Sequence, residues 1–280
     1  MAEEEQKRIA IVTGASSGLG REFVNQISAR FELDEIWAIA RRSERLNELQ
    51  AEVDEASGFS AGGKVKIKVR PIPLDLIPKE SIDKIESFLA EEKPDVHICV
   101  NAAGFGRIGL SRDVSREDHD NTVDLNCRAA MDMSLAVLPY MKRGSRLINI
   151  CSVAGYEPVT GLNTYGASKA FLLSWTKALH LEQLGTGIHV TAVCPYWIKD
   201  TEFIPLSKTD GKGNPSPTAG AIKHFSFTVK KKSVAHWALI DSAANMWVSS
   251  PSPWAVFIRF FTKFIPHIII APLWDLLRRI

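Results

Sequence analysis

The chain has 280 residues, and 34 Lys and Arg against 32 Asp and Glu leave a formal net charge of +2. That balance excludes the strongly basic character of a nucleic-acid binder, and no basic block is longer than Lys230-Lys231-Lys232. A hydrophobic fraction of 45% with 24% charged residues is that of a globular chain, long enough to bury its core as one domain over residues 1–280.

In chain order, the acidic opening MAEEEQKR lacks the apolar core of a signal peptide. Apolar runs at 9–13, 35–40, 65–72, 96–101, 146–151 and 188–194 are short and bounded by polar or glycine-containing segments, as buried strands are. Longer amphipathic stretches near 18–30, 43–56, 79–92, 116–142 and 163–184 separate them. This alternation predicts an α/β fold, a doubly wound parallel sheet with helices on both faces. Ligands of such sheets bind beyond the carboxyl ends of the strands, where the strand order reverses. The run from Thr209 to Pro217 is rich in turn formers and reads as a loop. Cys99, Cys127, Cys151 and Cys194 lie in apolar contexts without metal-ligand spacing. They read as buried thiols of a reducing compartment, no metal site is expected, and the cytoplasm is the expected location.

Two clusters carry chemistry. Thr13-Gly14-Ala15-Ser16-Ser17-Gly18-Leu19-Gly20 follows the first strand and leads into a helix. Its glycines let the backbone turn tightly and approach a ligand, and a helix amino terminus suits a pyrophosphate. In the run NTYGASKAF, Tyr165 and Lys169 stand four apart on one helix face, with Ser152 upstream. A free tyrosine titrates near ~10, and a neighbouring ammonium favours its ionised form. The pair suits proton transfer at a carbonyl or alcohol oxygen that Ser152 also hydrogen-bonds. Taken alone, such a pair also arises by chance on many helices.

Together these motifs resemble the short-chain dehydrogenase/reductase family. The resemblance runs from about Ile9 to Pro195: the glycine turn, Asp75, Asn101-Ala102-Ala103-Gly104, Asn126 in DLNC, Ser152 in NICS, Tyr165 with Lys169, and Pro195. It departs at Pro195-Tyr196-Trp197, where the family usually has Pro-Gly. The resemblance implies a Rossmann-like sheet of about seven strands, with Asn245 to Ser250 as the seventh and residues 196–232 as a substrate lid. It implies Tyr165 as proton donor or acceptor, Lys169 holding the nicotinamide ribose and lowering the phenol pKa, Ser152 orienting the carbonyl, and Asn126 positioning a relay water. Gly14, Ser16, Ser17, Gly18, Leu19 and Gly20 would line the pyrophosphate. Asp75 and Leu76 would meet the adenine, Asn101, Ala102 and Gly104 the adjoining ribose and sheet edge, and Pro195 the nicotinamide side. A homodimer or homotetramer is the implied assembly.

The second strand ends without the acidic residue that favours NAD, and Arg41 and Arg42 follow it. A guanidinium pairs with phosphate oxygens, so NADP (as NADPH) is expected ahead of NAD. Phe105, Ala154, Tyr156, Tyr196 and Trp197 follow strand ends and would wall a pocket for a bulky apolar ketone or alcohol, such as a hydroxysteroid. A 3-oxoacyl thioester reductase and a catalytically silent NADPH binder are the alternatives. The extension at 251–280 is apolar, with Arg259, Lys263, Arg278 and Arg279 interspersed and Pro266 and Pro272 breaking it. A helix from Trp254 to Ile265 would carry a basic stripe and a broad apolar face. That face could complete the core, cover the pocket, form a dimer contact, or lie peripherally on a membrane.

Overall fold

The computed structural model describes residues 6–58, 67–210, 213–216, 219–222, 225 and 227–277. Met1 to Glu5 of the opening, residues 65 and 66 of the third apolar run, Gly211, Lys212 and Pro217 of the loop, and Arg278 and Arg279 lie outside them.

Seven parallel strands form one sheet: β1 (Arg8–Thr13), β2 (Glu35–Ala40), β3 (Lys68–Pro73), β4 (Asp95–Asn101), β5 (Arg146–Ile150), β6 (His189–Val193) and β7 (Val248–Ser249). Their spatial order is β3-β2-β1-β4-β5-β6-β7. The order reverses between β1 and β4, which places a crevice at the carboxyl ends of those two strands. The strands are nearly all apolar because both faces are covered. On one face Ala10, Val12, Ile36 and Ala38 pack against Phe23 and Ile27 of α1 (Gly18–Arg30), Leu46 and Leu49 of α2 (Ser43–Gly58), and Val234 and Ala238 of α8 (Lys231–Ala243). On the other, Ile9, Ile11, Trp37 and Cys99 pack against Ile85 and Leu89 of α3 (Glu80–Glu92), Met133 of α5 (Ala130–Val137) and Leu179 of α6 (Asn163–Glu182). Successive strand residues alternate between these clusters, as the pleat requires. All four cysteines are free and buried.

Three expected elements differ. The single helix expected over 116–142 is divided into α4 (Arg116–Val123), a π-helical turn over Asp124–Ala129, α5, and a 3₁₀ turn over Leu138–Tyr140. The seventh strand is only two residues long. Asn245 has a φ of 52°, a left-handed turn where the chain leaves α8, so the regular ladder begins only at Val248. Pro272 does not break the tail, since it lies inside α10 (His267–Leu277). The break spans 262–266: the helix expected to reach Ile265 ends at Phe261 as α9 (Pro253–Phe261), and α10 starts after Pro266. α9 begins with Ser252 as N-cap, whose hydroxyl accepts from the Ala255 amide at 3.2 Å, and with proline in its first turn. No described helix is long and apolar enough to cross a membrane.

Candidate active site

β1 and β4 end side by side, and the chain beyond them is built for close approach. Thr13 Oγ1 accepts from the amides of Ala102 and Ala103, both at 3.1 Å. Gly14 has a φ of 69°, and a Cβ there would stand 2.8 Å from the Ala103 nitrogen, so only glycine lets the two turns touch. α1 starts immediately beyond. Its N-cap, Ser17, makes no side-chain cap bond, and no acidic residue stands in its first turn. Those free amides and the helix dipole fit a pyrophosphate.

Beside them lies Arg42. It donates to Ser17 Oγ at 2.6 Å and to Ser16 Oγ at 3.2 Å through two nitrogens. Arg41 leans away to Asp75, 3.8 Å distant, and Asp75 also accepts from the Ile77 amide at 3.1 Å. Of the two arginines singled out from sequence, Arg42 is the one fixed on the glycine turn. The turn is thus an amide-lined cradle that ends in a guanidinium.

One cavity of about 800 Å³ joins this cradle to the Tyr165 cluster. Gly14, Ser16, Ser17, Gly18, Leu19, Gly20, Arg41, Arg42, Asp75, Leu76, Ala102, Gly104, Ser152, Tyr165, Lys169 and Pro195 all line it. So do Phe105, Ala154, Tyr196 and Trp197. Tyr165 and Lys169 lie on successive turns of α6, and Ser152 caps the short turn after β5, its hydroxyl accepting from the Ala154 amide at 3.1 Å. Ser152 stands beside the Tyr165 hydroxyl in the same cavity. Gly106 packs under the Tyr165 ring, where a Cβ would come within 2.7 Å of it. Burial pushes the Tyr165 phenol up to about 12, against the opposing pull of the Ser152 hydroxyl. The expected lowering by Lys169 is not among the influences on it. The ammonium is instead buried, donates to the Ile150 carbonyl at 2.7 Å and lies 5.6 Å from the Tyr165 ring centroid. Burial lowers the Lys169 pKa. At neutral pH the phenol is therefore protonated.

Three expected site residues have other surroundings. Asn101 follows Cys99 on the face turned to α5, and its amide donates to Asn149 Oδ1 at 2.8 Å, Ser134 Oγ at 2.9 Å and the Ala130 carbonyl at 3.2 Å. It ties β4 to β5 and α5 inside the core instead of meeting a ribose. Asn126 is fully buried in the π-helical turn, accepting from the Phe105 amide at 3.0 Å and donating to its carbonyl at 2.8 Å. It also donates to Ser168 Oγ at 3.0 Å. Its side chain clamps the 104–106 strip against α6, with both amide hydrogens engaged. Tyr156 packs with Cys151, Leu172 and Val248, and burial pushes its phenol far up. It supports the floor from behind.

Two further residues, Glu202 and Thr201, carried no local sequence signal as site residues. Glu202 reaches from beyond β6 to Arg42, at 2.9 Å, and to Arg45. Thr201 lies across the glycine turn, 3.4 Å from where a Gly18 Cβ would stand. Trp254, Phe257, Ile258 and Phe261 of α9 and Ile270, Leu273 and Trp274 of α10 form the cavity's apolar ceiling. Trp274 donates to the Thr160 carbonyl at 3.3 Å and His267 pairs with Glu157 at 2.5 Å, fastening the tail over the loop after β5. Arg259 donates to the Val248 carbonyl at 3.0 Å, so it anchors α9 to β7 instead of forming a free basic stripe. Of the readings open for the tail, pocket covering is the one the fold displays.

A family model described as short chain dehydrogenase matches residues 8–210. Sulfoacetaldehyde reductase 2 of Chromohalobacter salexigens is 33% identical over 210 residues, spanning 72% of this chain and 77% of the relative. The NADP-dependent 3-hydroxy acid dehydrogenase YdfG of Salmonella typhi is 33% identical over 201 residues, 70% and 74% of the two chains. Among solved structures, a short-chain dehydrogenase from Sphingobium yanoikuyae in complex with NADPH is similar with a TM-score of 0.72 at 25% identity, covering 92% of this chain and 96% of that one.

Proposed function

This chain belongs to the short-chain dehydrogenase family, an NAD(P)-binding oxidoreductase fold, and on that premise we propose that it interconverts a bulky apolar ketone and its secondary alcohol with NADP(H). The observation that carries the proposal is the single cavity in which Arg42 and the glycine turn, the Tyr165 hydroxyl, and an aromatic ceiling face one space. Chemistry at a carbonyl explains the phenol, a dinucleotide explains the cradle, and a large apolar substrate explains the ceiling. NADP dependence in the YdfG relative and NADPH in the Sphingobium structure support the cofactor choice.

NADPH, when bound, supplies the hydride. The chain's own residues do the rest. Free amides at the start of α1 hold the pyrophosphate, and Arg42 with Ser16 and Ser17 holds the ribose phosphate. Lys169, next to Gly104, holds the nicotinamide ribose. Ser152 and the Tyr165 hydroxyl converge on the substrate oxygen, and Tyr165 gives it a proton as the carbonyl is reduced. Asn126 acts through Phe105 and Ser168 as a positioning residue. Residues 196–232 act as the substrate lid, with Trp197 and Tyr196 at its base. Beyond its role as a ceiling, the tail turns Phe260, Phe264 and Ile268 outward, the last 81% exposed, as a face for a lipid surface.

Arg42→Gln should raise the Kd for NADPH by roughly ten- to a hundredfold while changing that for NADH little, since hydrogen bonds to a charged group contribute ~1.5–3 kcal/mol. Arg41→Gln should have a smaller effect, because Arg41 stands at the rim beside Asp75. Titrating cofactor fluorescence checks both. Equal losses for the two cofactors in Arg42→Gln would remove NADP preference from the proposal.

A further inference from the structure

The carboxylate of Glu202 sits where the proposed phosphate would make its strongest bonds. Glu202 precedes α7 (Phe203–Ser207), 160 residues after Arg42, yet it accepts from Arg42 Nη1 at 2.9 Å and from Arg45 Nη1. The same Arg42 holds the hydroxyls of Ser16 and Ser17 through its other nitrogens. Two guanidinium groups thus hold one carboxylate at the mouth of the cavity, and one of them also holds two hydroxyls of the glycine turn. This donor set matches a phosphate monoester, whose oxygens exceed in number and charge what one carboxylate offers.

Resting on the NADP reading above, we propose that Glu202 is a specificity-determining residue, an internal anion that occupies the phosphate subsite and must yield Arg42 to the 2′-phosphate. Without that phosphate, as with NADH, Glu202 keeps both arginines. With it, two anions contest the same guanidinium groups, and repulsion moves the carboxylate out. Glu202 therefore weakens NADPH binding and leaves NADH binding nearly untouched. The two interactions stand at the cavity edge, with the Glu202 and Arg42 side chains 39% and 41% exposed, so the exchange needs no opening of the core. Arg45 has the same carboxylate as its partner, and becomes available to the phosphate at the same moment.

Adenosine 2′,5′-bisphosphate and 5′-AMP are the probes, bound to the full chain and followed by calorimetry. Glu202→Gln keeps the shape and removes the charge, and Glu202→Ala removes both. Both variants should bind the bisphosphate roughly tenfold more tightly, with the Kd for 5′-AMP within about twofold of the parent. Unchanged or weaker bisphosphate binding in both, with thermal melting like the parent's, would overturn the proposal and make Glu202 a support for the arginines. Arg42→Gln separates this from the reading beneath it. If that variant loses no selectivity for the bisphosphate over 5′-AMP, the NADP reading fails and the Glu202 proposal fails with it. If it does lose selectivity, the Glu202 variants decide the proposal alone.

Discussion

Tyr165→Phe should lower turnover about 10²–10⁴-fold while the Kd for NADPH stays within a few-fold of the parent. The substitution removes only the hydroxyl. The ring keeps its packing on Phe203, 5.1 Å between centroids, and on the backbone of Gly106. Nothing in the nucleotide cradle loses a partner. Burial keeps the phenol protonated beside Ser152, and the substitution removes that proton. Lys169→Ala should do more damage, losing turnover and cofactor affinity together, because its ammonium is buried beside Gly104 and bonded to the Ile150 carbonyl. Steady-state rates paired with NADPH titration separate the two effects. A Tyr165→Phe protein that kept most of its activity would take Tyr165 out of the mechanism.

Removing residues 254–280 should leave nucleotide binding intact and cost most of the activity on bulky ketones. The glycine turn, Arg42 and Lys169 are untouched by the cut, whereas seven apolar side chains of the ceiling go with it. Burying one large apolar side chain contributes ~1.5–3 kcal/mol, so losing even one substrate contact lowers kcat/KM by roughly ten- to a hundredfold. Trp254→Ala and Trp274→Ala test the same point if the truncated chain precipitates. Small ketones should lose much less than large ones in every variant. Equal losses across substrate size would show that the tail only supports the core. The same protein tests the outward face. The full chain should sediment with anionic liposomes through Phe260, Phe264, Ile268 and Lys263, and the truncated chain should not. A full chain that stays in the supernatant at low salt would end the lipid-surface proposal.

Much of the fold was readable because buried parallel strands are short apolar runs, and five of the six runs fall within a residue of the observed strands. Tyr165, Lys169 and Ser152 were legible as a local pattern, since helix spacing alone brings the first two together. Asn101 carries its signal in the strand pattern. It continues the alternation of Cys99, so its side chain had to face the core beneath α5. The π-helical turn at Asn126 had no such signal, and the partners of the Asn126 side chain, Phe105 and Ser168, come together only in the fold. Glu202 lies far from Arg42 in sequence, and only the fold places one on the other. The tail falls between these cases. Trp254, Phe257, Ile258 and Phe261 repeat at helical spacing and declare an apolar face, but what that face covers is a tertiary fact.

The most direct test is transfer of label from NADPH deuterated at the reactive position to a series of ketones of increasing size. The proposal requires one deuterium on the carbinol carbon of the product, with kcat/KM rising toward bulky apolar ketones and falling sharply in Tyr165→Phe. A protein that binds NADPH tightly yet transfers no label to any ketone in the series would contradict it, and would make this chain a nucleotide-binding protein without the chemistry.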